Sequence, residues 1–226
     1  MGFIVGIDGT AGSGKGTAAK RIANRLNLLN IDTGITYRCV ALEGLRKGAI
    51  KNGEINKERV IDLLDNISID IKNTPNGDRV FLNGEEVTDE IRGKDVSQVV
   101  SPVSSIKEVR FKMVELQRKM AEGRDIIMEG RDICTYVFPN ADVKIYMDAS
   151  VEERARRRVL EMKEKGIDIT YEEVLDNIKK RDANDKIKEV GALKMTPESI
   201  LVDTTNLSIE EVEEKIVDII KEKRGY

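Results

Sequence analysis

Histidine is absent from all 226 residues, and that gap removes whole classes of chemistry. Without an imidazole there is no Ser-His-Asp triad, no Cys-His dyad and none of the common zinc sites. Tryptophan is also absent, and the two cysteines, Cys39 and Cys134, form no C-x-x-C pair. Such thiols are expected to be free and buried, as in a reducing cytosol. No apolar run approaches the length of a membrane span. No basic-then-apolar leader precedes the first strand, so a cytoplasmic protein with no membrane partner is expected. A net charge of −3, in a chain with 35% charged residues, gives no global positive field, and no nucleic-acid partner is expected. Catalysis is left to carboxylates, lysine, arginine, main-chain amides or a bound metal. Phosphoryl transfer suits that inventory, because it needs chiefly positioning and charge neutralisation.

What is present centres on Gly9-Thr10-Ala11-Gly12-Ser13-Gly14-Lys15-Gly16-Thr17. The preceding Phe3-Ile4-Val5-Gly6-Ile7-Asp8 is apolar and rich in β-branched residues, which predicts a buried strand. Beyond the loop, Ala18, Ala19, Ile22, Ala23 and Leu26 recur at helical spacing. Strand, glycine-rich loop, lysine, hydroxyl and helix form the layout of a phosphate cradle. Glycines let successive N–H groups turn inward on an anion, and the helix adds the positive end of its dipole. Lys15 would then reach the β- and γ-phosphates of a nucleoside triphosphate; the alternative is a plain glycine turn. The residue after Lys15 is Gly16, and the hydroxyl comes one place later, at Thr17. In this the loop is similar to nucleoside-monophosphate kinases rather than GTPases, and no N-K-x-D guanine signature occurs.

With 40% hydrophobic residues the chain can bury a sizeable core, and its length suits one domain with insertions. Strands are expected at 3–8, 28–32, 125–129, 143–148 and 199–203, alternating with helices. The helix after Thr33-Gly34 is expected to begin near Ile35 and run to about Gly48, and another to fill 56–66 with Asn56 as cap. Alternation at Ile67, Ile69 and Ile71, a turn at Pro75-Asn76-Gly77, a strand through Val80 and Leu82 and a second turn at Asn83-Gly84 predict a three-stranded antiparallel meander. Helical patterns fill 94–122, with Pro102 expected to break them. Capping boxes are expected at Ser150–Glu153, Thr170–Glu173 and Ser208–Glu211. The fold class is α/β: a five-stranded parallel phosphate-loop (P-loop) sheet with helices on both faces, interrupted by the meander.

The phosphate loop, Asp32-Thr33-Gly34-Ile35-Thr36-Tyr37-Arg38, Glu129-Gly130-Arg131-Asp132-Ile133, Val137-Phe138-Pro139, Lys144 to Ser150 and Arg181-Asp182-x-x-Asp185 occur in a familiar order. Together they resemble the bacterial-type cytidylate kinases over essentially the whole chain. The meander that interrupts the alternation marks an inserted subdomain at 39–100, and the resemblance implies a single kinase domain, 1–226, in which that insertion binds the nucleoside monophosphate and 154–190 form a helical lid. The resemblance also implies ATP as phosphoryl donor, CMP or dCMP as acceptor, Mg²⁺, and a monomer.

By the same resemblance, Gly9, Thr10, Ala11, Gly12, Ser13, Gly14, Lys15, Gly16 and Thr17 hold ATP, with Thr17 also holding the metal. One or two of the lid residues Arg154, Arg157 and Arg158 are expected to approach ATP, Arg157 standing for them. Arg38, Arg131 and Arg181 are the forks for the acceptor phosphate, a task suited to a planar guanidinium. Ser101, Arg110 and Asp132 are the readers of cytosine, and Thr33 and Asp185 of the ribose. Lys15, Arg131, Arg181 and Lys188 are the expected catalytic cations. Lys188 stands where the family usually has arginine, and Ile35, Thr36 and Cys134 depart from it too. Two other readings stay open: a kinase for another acceptor such as UMP or AMP, and a nucleotide-binding module without catalysis.

Overall fold

Strand β1, Ile4–Gly9, is buried along its whole length, as a strand covered on both faces must be. A computed structural model describes residues 2–74, 77–164 and 166–225. The chain divides into two compact units, Met1–Ile31 with Ala121–Tyr226, and Asp32–Met120.

The first unit is built on a five-stranded sheet. Its strands are β1, β2 (Leu29–Asp32), β8 (Ile126–Gly130), β9 (Val143–Asp148) and β10 (Ile200–Asp203), in the order β10-β9-β1-β8-β2. β1 pairs in parallel with β8 and β9, and β10 with β9. Helices α1 (Lys15–Leu26), α6 (Val151–Glu164), α7 (Tyr171–Ile187) and α8 (Ile209–Arg224) complete the unit. Val5, Ile7, Ile127, Ile145 and Met147 from the sheet pack with Ala19 and Ile22 of α1 and Ile216 and Ile220 of α8. A smaller cluster, Ala155, Val174 and Ile178, joins α6 to α7.

The second unit holds α2 (Thr33–Arg46), α3 (Lys57–Leu63), α4 (Lys94–Val103) and α5 (Lys107–Met120). Two small antiparallel sheets accompany them: β3 (Ile50–Lys51) with β4 (Glu54–Ile55), and β5 (Ile69–Thr74), β6 (Gly77–Leu82) and β7 (Glu85–Glu86) in that order. The second sheet is the expected meander, with Asn83 and Gly84 both at positive φ between β6 and β7. The turn expected around residue 75 includes Pro75 and Asn76, which lie outside the described residues.

Local chemistry explains where the elements differ from expectation. α2 starts at Thr33, two residues early, because the Asp32 carboxylate accepts the Gly34 N–H at 2.8 Å and caps the helix there. The β3–β4 hairpin was not expected, although Asn52-Gly53 carries the same signal as Asn83-Gly84, again with both residues at positive φ. The helical stretch breaks at Pro102 as expected: the proline sits in the last turn of α4, which ends one residue on, and α5 begins at Lys107. The Ser104 and Ser105 hydroxyls then donate to the Ser101 carbonyl. Two capping boxes form as expected, at Thr170–Glu173 and Ser208–Glu211. At Ser150 only half a box is seen: the Glu153 N–H meets the serine hydroxyl at 3.3 Å, while the Glu153 carboxylate pairs with Arg156 and Arg157.

Ile145, fully buried in β9, carries the sheet's packing. Ile145→Ala is expected to cost about 2–5 kcal/mol in urea denaturation, whereas Leu201→Ala on the half-exposed edge strand costs under about 1 kcal/mol.

Candidate active site

The C-terminal end of β1 delivers the chain into the phosphate loop. Gly9 has φ 152°, and a Cβ there would stand 1.9 Å from the Met147 carbonyl oxygen, so only glycine lets β1 run this close to β9. Gly14, left-handed at φ 89°, turns the chain into α1. Lys15, the first residue of α1, is folded inward; its Nζ donates to the Thr10 carbonyl at 2.7 Å and lies 3.4 Å from the Ser13 hydroxyl. Thr10 is held in turn by a 2.6 Å bond from its hydroxyl to Asp148 at the end of β9. Thr17 stands exposed on the first turn of α1.

Burial, assisted by the Arg131 guanidinium, pushes the Lys15 ammonium down to about 7. Glu129 opposes that shift and Arg181 adds to it, so these side chains share one electrostatic neighbourhood. Glu129, at the end of β8, also comes close to α1: its Oε1 lies 3.4 Å from where a Cβ on Gly16 would stand. Asp185 of α7 organises two further cations. One carboxylate oxygen takes Arg131 Nε at 2.8 Å and the other takes Lys188 Nζ at 2.9 Å. Burial works to raise the Asp185 carboxyl, but Arg131 and then Lys188 more than offset it, and the group is held below the ordinary range. In the first unit, therefore, Lys15, Arg131, Arg181, Asp185 and Lys188 form one electrostatic cluster. Asp132 is buried beside it, at the mouth of a wide helical turn, Ile133–Val137.

The remaining expected residues sit as follows. Arg157 donates to the Thr204 carbonyl and hydroxyl and pairs with Glu153. Arg158 pairs with Glu161, and Arg154 is buried, bonded to Asp182, Ala11 and Ala149. In the second unit, Arg38 donates to the Ile91 carbonyl and the Ser97 hydroxyl, each at 3.0 Å. Arg110 is buried, donates to the Ser104 carbonyl at 3.3 Å and lies over the Tyr37 ring. Thr33 opens α2, and Ser101 precedes Pro102 in α4.

Asp8, Glu129, Asp148 and Asp182 stand in the quoted motifs, but the sequence assigned none of them a role. Asp8 takes the N–H groups of Ile133 and Cys134, each at 2.7 Å, and so fixes the backbone just after Asp132. Burial pushes its carboxyl up to about 6, against those two N–H groups, with Asp132 adding to the rise. A charge at the end of an apolar strand was the available signal for Asp8, Glu129 and Asp148 alike. Asp182 offered no such mark within a highly charged helix.

Fold and loop together define a phosphate-loop nucleotide-binding protein, and the cation cluster beside the loop is what a phosphotransferase needs. A family model described as Cytidylate kinase matches residues 5–222. A cytidylate kinase from Caldicellulosiruptor saccharolyticus is 46% identical over 215 residues, covering 95% of this chain and 94% of the relative. One from Geobacillus kaustophilus is 44% identical over 221 residues, covering 98% and 97%. The chain belongs to the cytidylate kinase family, and is thus a nucleoside-monophosphate kinase. Among solved structures, an uncharacterized protein from Eubacterium ventriosum shares the fold at TM-score 0.52 and 12% identity, covering 98% of this chain and 99% of that one. No helix among the described residues is long and apolar enough to cross a membrane.

The depressed Lys15 gives a proton signature. With burial holding the group down to about 7, ATP phosphates seated beside it, as the loop motif leads one to expect, would favour its charged form, so binding at pH 8 should take up a proton. Calorimetry at pH 8 in buffers of different ionisation enthalpy should show that uptake, and Lys15→Met should lack it. In the nucleotide-free protein the unfolded chain binds more protons between about 7 and 10.5, so this group's contribution to stability rises with pH across that window.

Proposed function

We propose that this protein transfers the γ-phosphoryl group of ATP to CMP or dCMP, giving CDP or dCDP and ADP, as a cytoplasmic monomer of pyrimidine nucleotide metabolism. One observation carries the proposal beyond family membership: Asp185 holds Arg131 and Lys188 on its two oxygens, in the same cluster as Lys15 and Arg181. Two polyanions can approach each other only where cations offset their repulsion. In this reading the main-chain N–H groups of residues 9–17 and the Lys15 ammonium bind the donor phosphates. Arg131, Arg181 and Lys188 orient the transferring group and stabilise the charge that spreads over its oxygens. Arg38 grips the acceptor phosphate.

Asp132 would accept from the exocyclic amine of cytosine, with Arg110 donating to its ring and Ser101 beside them, so uracil would leave bonds unmade. Thr33 and Asp185 would meet the ribose hydroxyls, and Arg157 the nucleotide ATP. The 39–100 stretch is the proposed acceptor-binding insertion and 154–190 the lid that excludes water.

The residues present fit a Mg²⁺ ion brought in with ATP. Thr17 offers an exposed hydroxyl and Glu129 a carboxylate near it, both hard oxygen donors. No cluster of three or more metal-ligating side chains occurs among the described residues, so phosphate oxygens and water would complete the shell. The ion would supply charge neutralisation at the β- and γ-phosphates.

A coupled assay with ATP over CMP, dCMP, UMP and AMP tests the assignment. CMP and dCMP should exceed UMP and AMP in kcat/KM by about 10²-fold. Preference for UMP would refute the roles of Ser101, Arg110 and Asp132. Lys188→Arg, restoring a bidentate fork, should raise kcat/KM for CMP; an unchanged or lower value would contradict a phosphate role for Lys188.

A further inference from the structure

Arg154 and Asp182 have no role in the site as described, yet they form a buried ion pair against its most important loop. Arg154 Nη2 meets Asp182 Oδ2 at 2.7 Å. The same guanidinium donates through Nη1 to the Ala11 carbonyl and through Nε to the Ala149 carbonyl, each at 2.9 Å. Asp182 Oδ1 in turn faces the Ala11 N–H at 3.4 Å. Ala11 is therefore held at both its N–H and its C=O by one charge pair, with one partner from α6 and the other from α7. The next residue leaves no slack. Gly12 has φ 80°, and a Cβ on it would stand 3.3 Å from the Arg154 Cβ, so α6 lies directly against the loop.

We propose that the Arg154–Asp182 pair is a positioning device that sets the peptide planes of the phosphate loop for ATP, and that neither residue touches the nucleotide. The inference rests on the reading of the loop as the ATP site. A residue held at both its N–H and its C=O cannot turn the two peptide planes that meet at its Cα. With residue 11 fixed, the N–H groups of the residues that follow are aimed before the anion arrives, and binding does not have to order them. A buried pair is a poor source of net stability, because desolvation offsets most of the attraction. It is a good source of one defined geometry here, since the remaining N–H donors of Arg154 go to two loop carbonyls. The placement on α7 also matters. Asp182 and Asp185 are three residues apart on one buried face, so the helix that holds the loop through Asp182 holds Arg131 and Lys188 through Asp185.

The test uses the full chain and separates alignment from folding. Arg154→Lys keeps the charge beside Asp182 but cannot make both carbonyl bonds. Calorimetry should show ATP affinity about tenfold weaker in Arg154→Lys and in Asp182→Asn, with CMP affinity within twofold of the wild type. In steady-state assays the KM for ATP should rise while that for CMP holds. Equal ATP affinity in Arg154→Lys and wild type would overturn the proposal. So would a parallel loss of ATP and CMP binding, the mark of a merely structural pair. A wild type that binds ATP but phosphorylates no cytidine nucleotide would overturn the functional reading and leave this measurement standing.

Discussion

Cations gathered as closely as Lys15, Arg131, Arg181 and Lys188 repel one another, and the first unit must offset that repulsion. Bare guanidinium and ammonium groups a few ångströms apart would splay toward water, and a splayed cluster would have to be gathered again at each turnover. The chain resolves the conflict with carboxylates set among the cations. Asp185 takes Arg131 and Lys188 on separate oxygens, and Glu129 sits close enough to Lys15 and Arg131 to favour their charged forms. On the function proposed above, the ion pairs serve as scaffolding for a phosphate site rather than as a source of stability.

Sheet order makes this concentration possible. β1 lies between β8 and β9, all three parallel, so their C-terminal ends open on the same edge. Gly9 and Asp148 end β1 and β9, and Glu129 is the last residue but one of β8, which brings a glycine-rich loop, one acid beside α1 and one acid on Thr10 to one place. Ligands of open parallel sheets bind at that edge for the same reason. Asp8 adds the last constraint: by taking two successive N–H groups after Asp132, it ties the cation-bearing Glu129–Asp132 segment to the strand that feeds the loop.

Much of this was legible in the residues, and the limits of legibility are physical. The loop, the five strands and the meander follow from patterns within a few residues, such as Gly14-Lys15 after an apolar strand or Asn83-Gly84 between alternating runs. The cations and Asp185 could be named from their motifs, but not that Asp185 holds Arg131 and Lys188. Arg154 is one of three lid arginines expected near ATP, and nothing in its motif shows that it turns instead to Asp182 and to the carbonyls of Ala11 and Ala149. Asp182 is one acid among many in α7, and its partners lie 28 and 171 residues away in the sequence. The Ser150 cap illustrates the same limit on a small scale: Glu153 is spaced for a reciprocal box, yet a neighbouring arginine claims its carboxylate.

A crystal structure with a bisubstrate analogue, adenosine and cytidine joined by a chain of phosphates, would test the central claim most directly. The account predicts phosphates seated on the N–H groups of residues 10–17, with Arg131, Arg181 and Lys188 each within hydrogen-bond distance of the bridging phosphate oxygens. Phosphates lodged elsewhere, with Arg131 and Lys188 still paired to Asp185 and touching no phosphate, would contradict it.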